Sequence, residues 1–200
     1  MMSNKGRRIA ITGASGYIGA GLVRKLCRED DIEMVLATDI VPPRNLLPVK
    51  AVFVHQDVSV PFGKLFSEYR IDTVVHLAYV MRPDRDHEAA KGVNVGGTKN
   101  VLATCSESGV SRLVYLSSTS VYGAHADNPA FLSEDSPKRP APGFRYSIDK
   151  VEVEALIRKF AAYTGSQALI LRCCPVIGPR ADNFIARAFL KPVLVAIRGF

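Results

Sequence analysis

Short apolar runs, many of them β-branched, alternate along the chain with longer stretches in which apolar positions recur every three or four residues. Arg8-Ile9-Ala10-Ile11 predicts a buried strand. Ile18, Leu22, Val23 and Leu26 then predict a helix over Tyr17 to Glu29. Further strands are expected at Glu33 to Asp39, Ala51 to Val54, Thr73 to Leu77, from Arg112 onward, and at Ala168 to Arg172. Pro61 to Tyr69 reads as a short helix with Phe62, Leu65 and Phe66 inward. Glu88 to Ser108, with Val93, Val101 and Leu102, and Phe144 to Tyr163 read as longer helices, and Phe184 to Ile197 as a final apolar one. Pro42, Pro43 and Pro48 mark a loop, and Ala124 to Pro142 is a long Pro-containing polar loop of the kind that forms lids or binding walls. Strands alternating with helices call for an α/β fold with a parallel, doubly wound sheet in the order 3-2-1-4-5-6.

The first strand runs into Thr12-Gly13-Ala14-Ser15-Gly16-Tyr17-Ile18-Gly19, three glycines spaced three and three between a strand and a helix. Gly13 permits the sharp turn, Gly16 lets the backbone approach a pyrophosphate, and Gly19 lets the helix pack on the strand. The helix aims its first N–H groups at the phosphates, which makes a Rossmann-type dinucleotide cradle. A tight strand-to-helix turn without a ligand is the plainer alternative. Strand two ends in Asp39, placed to accept both hydroxyls of an adenine ribose and to repel a 2′-phosphate, which favours NAD over NADP. Arg44 lies close enough in sequence to cloud that preference, and an ordinary turn Asp is the other option. Asp57, just after strand three, either reaches the adenine amino group or caps its own turn.

The second half carries a different chemistry. His76, on strand four, is expected as a hydrogen-bonded core histidine rather than a catalyst. Small Ala78 lets a cofactor lie against the carboxyl end of that strand, and Tyr79 to His87 forms a loop that borders a substrate. Gly96 and Gly97 sit in mid-helix at a cost of roughly 1 kcal/mol each relative to Ala, which close packing would explain. Asn94 beside them either hydrogen-bonds backbone, holds a water near the site, or faces solvent. Ser117-Ser118-Thr119-Ser120 leaves strand five with hydroxyls that suit a substrate oxygen. Tyr146 and Lys150 are four apart and share a helix face. An ammonium near a phenol favours the phenolate and lowers its pKa from about 10, so such a tyrosine exchanges protons near neutral pH.

Composition then narrows the class. With 48% hydrophobic and 22% charged residues in 200, the chain is an ordinary globular protein with a sizeable core. No apolar run approaches the roughly 18–20 residues of a membrane span. Lys5-Gly6-Arg7-Arg8 leads into strand one rather than a signal core, so a cytoplasmic protein without a membrane partner is expected. Cys27, Cys105, Cys173 and Cys174 lack metal-ligand spacing, so buried thiols and no metal are expected. The net charge of +7 is carried by scattered residues without aromatic interleaving, which argues against nucleic acid and leaves a surface that attracts phosphorylated ligands.

Taken in order, Thr12-Gly13-x-x-Gly16-x-x-Gly19, Asp39, Asp57-Val58, His76-Leu77-Ala78, Asn94-Val95-x-Gly97-Thr98, Ser117-Ser118-x-x-Val121-Tyr122-Gly123, Tyr146-x-x-x-Lys150 and Leu171-Arg172 with Gly178-Pro179-Arg180 resemble the extended short-chain dehydrogenase/reductase superfamily, in particular its NAD-dependent epimerase/dehydratase branch. The resemblance implies NAD, rather than NADP, held by Gly13, Ser15, Gly16, Tyr17, Ile18, Gly19, Asp39, Asp57, Val58, Leu77, Ala78, Tyr79, Asn94, Tyr146 and Lys150. It implies Ser118 as the hydroxyl that polarises a substrate oxygen, Tyr146 as acid/base, and Lys150 as the residue that holds the nicotinamide ribose and tunes Tyr146. The implied activity is epimerisation or dehydration of a nucleotide sugar or similar polyol through hydride transfer and a transient ketone. A carbonyl or hydroxysteroid-type reductase and a catalytically idle NAD-binding module are the alternatives, and a homodimer through the helices that follow Asn94 and Tyr146 is implied as well. Pro175 and Ile177 depart from the branch, which often has Asn and Tyr there. Family members also continue into a seventh strand and a small substrate domain, so residues 1–200 are expected to be the NAD(P)-binding domain alone, with the cap absent or truncated.

Overall fold

The computed structural model describes residues 6–81, 87–179 and 181. Strands β1 (Arg7–Thr12), β2 (Ile32–Asp39), β3 (Ala51–His55), β4 (Thr73–His76), β5 (Arg112–Ser118) and β6 (Gln167–Cys173) form one sheet in the order β3-β2-β1-β4-β5-β6. Every neighbouring pair is parallel, so the expected order holds. Thr12 stands level with Thr38 on one side and His76 on the other, and His76 is level with Tyr115. The carboxyl ends of β1, β2 and β4 therefore share one rim, beyond which Ser117 and Ser118 project in register with Arg172 and Cys173.

Alternation along the buried strands sorts the core into two layers. Ile9, Ile11, Val35 and Ala37 pack with Val23 of α1 (Tyr17–Leu26) on one face. Ala10, Leu36, Val74, Leu113 and Tyr115 pack on the other face with Phe66 of α2 (Leu65–Glu68), Val101 and Cys105 of α4 (Gly97–Glu107), and Val153 and Ile157 of α5 (Arg145–Thr164). A strand that points successive side chains to opposite faces needs helices on both, which is why the fold is doubly wound.

The departures from the expected elements are local. The helix expected from Glu88 to Ser108 begins as α3 (His87–Lys91), widens into a π-turn at Gly92–Gly96, and resumes as α4. Three weak helix formers, Gly92, Gly96 and Gly97, lie at this point, and Asn94 spends its side chain on a neighbouring loop instead of facing solvent. A Cβ on Gly97 would lie 2.6 Å from Val58 Cγ2, so close packing accounts for that glycine; Gly96 meets nothing within 4 Å. The first helix stops at Leu26 rather than Glu29, and the short helix is trimmed to Leu65–Glu68. The expectation of buried thiols holds for Cys105 and fails for Cys174, which is exposed just past the end of β6; Cys27 and Cys173 are half-buried. On β6, Leu169 and Leu171 are exposed. The apolar helix expected at Phe184 to Ile197 lies outside the described residues. Among the described residues no helix is long and apolar enough to cross a membrane, and no cluster of His, Cys, Asp or Glu is arranged to hold a metal.

Candidate active site

The rim of the sheet is occupied first by the glycine turn. Gly13 has φ +71°, and a Cβ there would lie 2.7 Å from the Ala78 nitrogen at the end of β4. A Cβ on Gly19 would fall 2.2 Å from the Gly13 carbonyl oxygen, so α1 rests directly on the turn. Gly16, the residue before α1, offers no capping side chain, and the first turn of the helix holds no acid. The opening N–H groups of a ten-residue helix thus keep their positive end available for an anion. Asp39 stitches the end of β2 to this turn: its Oδ2 accepts from the Ser15 amide at 2.9 Å and its Oδ1 from the Val41 amide at 3.0 Å. Asp57 Oδ1 accepts from the Ser59 amide at 2.8 Å, capping its own turn, and Val58 is buried against Gly97. The Gly178 backbone passes close to the Tyr17 hydroxyl, which brings the Pro175–Gly178 segment over the start of α1. Ile177 in that segment is exposed.

Under the turn runs a buried chain of hydrogen bonds. Thr98 Oγ1 donates to the Asn94 carbonyl at 2.6 Å, so it accepts from His76 Nε2 at 3.0 Å. His76 Nδ1 is left as an acceptor and takes the Thr12 hydroxyl proton at 2.7 Å. Thr12 Oγ1 in turn faces the Leu77 and Ala78 amides, both at 3.3 Å. Burial, and secondarily the nearby Lys150, pulls the imidazole down to about 3, so His76 is a neutral structural link between the turn and the π-turn. Asn94, 3% exposed, completes the link by accepting from the Val80 amide at 2.8 Å and donating to the Val80 carbonyl at 3.3 Å.

The second cluster sits on α5 and the end of β5. Lys150 is buried, with its Nζ donating to the Leu116 carbonyl at 2.7 Å and lying 4.0, 4.6 and 5.7 Å from the ring centres of Tyr79, Tyr115 and Tyr146. Burial lowers its pKa to about 7, against the opposing pull of Cys173, Glu154 and Asp149. Tyr79 meets Tyr146 edge to face at 5.3 Å, and its hydroxyl donates to the Tyr146 carbonyl at 3.3 Å. The Ser118 hydroxyl favours the Tyr146 phenolate, yet burial dominates and, with Cys173, leaves the phenol above its usual range. This corrects the expectation that Lys150 lowers the Tyr146 pKa. The amine is itself desolvated, is engaged by Leu116, and carries only part of its charge near pH 7.

Two groups in this cluster were not singled out from the sequence as site residues. Glu154, fully buried one turn after Lys150, takes two hydrogen bonds from Arg172 of β6, at 3.0 and 2.9 Å, and one from Ser117 at 2.7 Å. Arg172 also donates to the Tyr122 hydroxyl and the Glu134 carbonyl, which ties the long loop to the sheet. The signal for Glu154 was its helical spacing from Tyr146 and Lys150, but the buried partner on β6 is visible only in the fold. Asp149, beside Lys150, is the other. Its Oδ2 accepts from Asn94 Nδ2 at 3.4 Å.

The fold thus brings Ser118, Tyr146, Lys150, Tyr79 and Asn94 together around the ends of β4 and β5. Gly13, Ser15, Gly16, Tyr17, Ile18 and Gly19 form the turn and the start of α1, with Asp39 bonded to Ser15 and Ala78 packed against Gly13. The uncapped helix end, the turn at Gly16, where a Cβ would lie 3.2 Å from the Gly13 carbonyl oxygen, and the carboxylate at the end of β2 fit a dinucleotide. Comparison with known proteins agrees. An uncharacterized protein of Mycobacterium tuberculosis is 32% identical over 199 residues, covering 96% of this chain and 53% of its own. The dTDP-glucose 4,6-dehydratase of Mycolicibacterium smegmatis is 31% identical over 194 residues, covering 90% and 57%. The solved structure of Thermus thermophilus UDP-glucose 4-epimerase in complex with NAD superposes with a TM-score of 0.76 at 28% identity, over 88% of this chain and 57% of that one. The chain spans about half the length of the curated relatives it matches. The model of the NAD dependent epimerase/dehydratase family matches residues 9–197, and the chain belongs to that family, within the extended short-chain dehydrogenase/reductase superfamily.

Proposed function

We propose that this chain binds NAD, in preference to NADP, and acts on a nucleotide sugar or similar polyol as an epimerase or dehydratase. The observation that carries this reading is the convergence of Ser118, Tyr146 and Lys150 beside the rim that holds the glycine turn. Bound NAD supplies the acceptor and later the donor of hydride. The Ser118 hydroxyl donates to the substrate oxygen and holds it against Tyr146. Tyr146 takes the hydroxyl proton as the carbon is oxidised to a transient ketone and returns it on re-reduction. Lys150 would hold the nicotinamide ribose. Asp39 exchanges its contacts with Ser15 and Val41 for the adenine ribose hydroxyls and repels a 2′-phosphate.

The test is turnover of UDP-glucose and dTDP-glucose by NAD-loaded protein. Catalytic NAD without accumulation of NADH, and a loss of about 10²–10⁴-fold in Tyr146→Phe, are expected. Stoichiometric NADH would point to a dehydrogenase that releases its product, and equal inactivity of wild type and variant with intact NAD binding would leave only a binding module. We further propose a homodimer paired through α4 and α5, which sedimentation showing only monomer at micromolar concentration would contradict.

A further inference from the structure

Beside Tyr146, a cavity of about 190 Å³ opens between the start of α5 and the π-turn. Tyr79, Met81, His87, Asn94, Phe144 and Asp149 contribute to its wall. Asp149 is only 5% exposed, and its Oδ1 is fully buried without a partner among the described residues. Its Oδ2 accepts from Asn94, whose own amide is fixed on the Val80 backbone, so one carboxylate oxygen is tied to the π-turn and the other is not. Leaving a buried acceptor unmet is costly, and more so for a charged group. Buried unmet acceptors therefore point to a missing donor.

The surroundings define that donor. Arg145 is in the wall, at 3.7 Å from Glu88, and Lys150 is the next residue along the helix. A hydroxyl donates to such an acceptor without bringing a further charge into the site. The rings of Tyr79 and Phe144 offer the flat apolar surface that suits the C–H face of a cyclic polyol. Resting on the reading of the site given above, we propose that Asp149 is a specificity-determining residue whose Oδ1 accepts a hydrogen bond from a ring hydroxyl of the bound polyol. It selects substrates by a hydroxyl other than the one that is oxidised.

The test titrates UDP-glucose and its 2-, 3- and 6-deoxy analogues into NAD-loaded wild type, Asp149→Leu and Asp149→Ala, with NAD affinity as the check on folding. One deoxy analogue is expected to bind wild type about tenfold more weakly than UDP-glucose, and that gap to fall below about twofold in whichever variant retains NAD affinity. Equal binding of all four ligands to wild type, or a gap that survives substitution of Asp149, overturns the proposal. If no nucleotide sugar binds at all, the nucleotide-sugar reading fails, and free D-glucose decides the fate of Asp149. A saturable shift of the labelled Asp149 carboxyl resonance would sustain the proposal, and none would end it.

Discussion

On the β1–β2 side of the sheet the candidate cofactor cradle is made of backbone: a positive φ at Gly13, a helix seated on a carbonyl at Gly19, and amides that point outward at the start of α1. On the β4–β6 side the same rim is made of buried polar side chains, with His76, Asn94, Asp149, Lys150 and Glu154 each fixed by partners distant in sequence. Backbone geometry is specified by which residues lack a Cβ and where. Buried charge is specified by its partners, and fails when one is removed. The first half should therefore break sterically and without regard to pH, whereas the second should break electrostatically and carry the pH dependence.

The largest expected effect is on the second half. Glu154→Ala leaves Arg172 without its carboxylate and should cost about 3–5 kcal/mol of unfolding free energy in denaturant titrations. The double variant Glu154→Leu with Arg172→Met should cost far less than the two single changes summed, and simple additivity would show that the pair acts independently. Next, Gly13→Ala forces a side chain into the left-handed region and against Ala78, for about 2–4 kcal/mol, with no change in its pH dependence.

The pH effects follow. His76 is held neutral down to about 3 in the fold but titrates near 6.5 when unfolded, so the unfolded chain binds more protons between those values. Stability is then complete above 6.5 and lost as pH falls toward 3, at no more than about 1.4 kcal/mol per pH unit from this group. His76→Gln should flatten that part of the curve. Lys150, lowered to about 7 from 10.5, gives the same sign in a higher window: stability rises with pH between those values. Lys150→Met should remove the rise, and an unchanged slope would place the amine in water. The smallest effect belongs to the cradle. Asp39→Asn weakens two half-exposed acceptor contacts for about 1 kcal/mol or less, yet it should shift the ratio of NAD to NADP affinity toward NADP several-fold in competition binding.

The contrast also explains what was legible in the sequence. The strand order and the glycine turn follow from local spacing and period, and they are as expected. The Tyr146 and Lys150 pair was legible as a shared helix face, but the sign of the Tyr146 shift was not. The sequence places a lysine four residues from the phenol without showing that burial weakens both groups' charged forms. The π-turn at Gly92–Gly96 escaped for a related reason. A helix with glycines reads as weak, and only the Val80 backbone, brought alongside by β4, shows why Asn94 opens it. Glu154 and Arg172 sit eighteen residues apart on a helix and a strand, a pairing that no periodicity encodes.

The central claim is that the phosphate-binding turn and the proton chemistry reside in these two separable halves. The most direct test is the NAD binding isotherm of Gly16→Val and Tyr146→Phe beside wild type. Gly16→Val should bind NAD at least about tenfold more weakly while remaining folded, and Tyr146→Phe should bind within about threefold of wild type. Unchanged affinity in Gly16→Val, or loss of NAD binding in Tyr146→Phe comparable to that in Gly16→Val, would contradict the account.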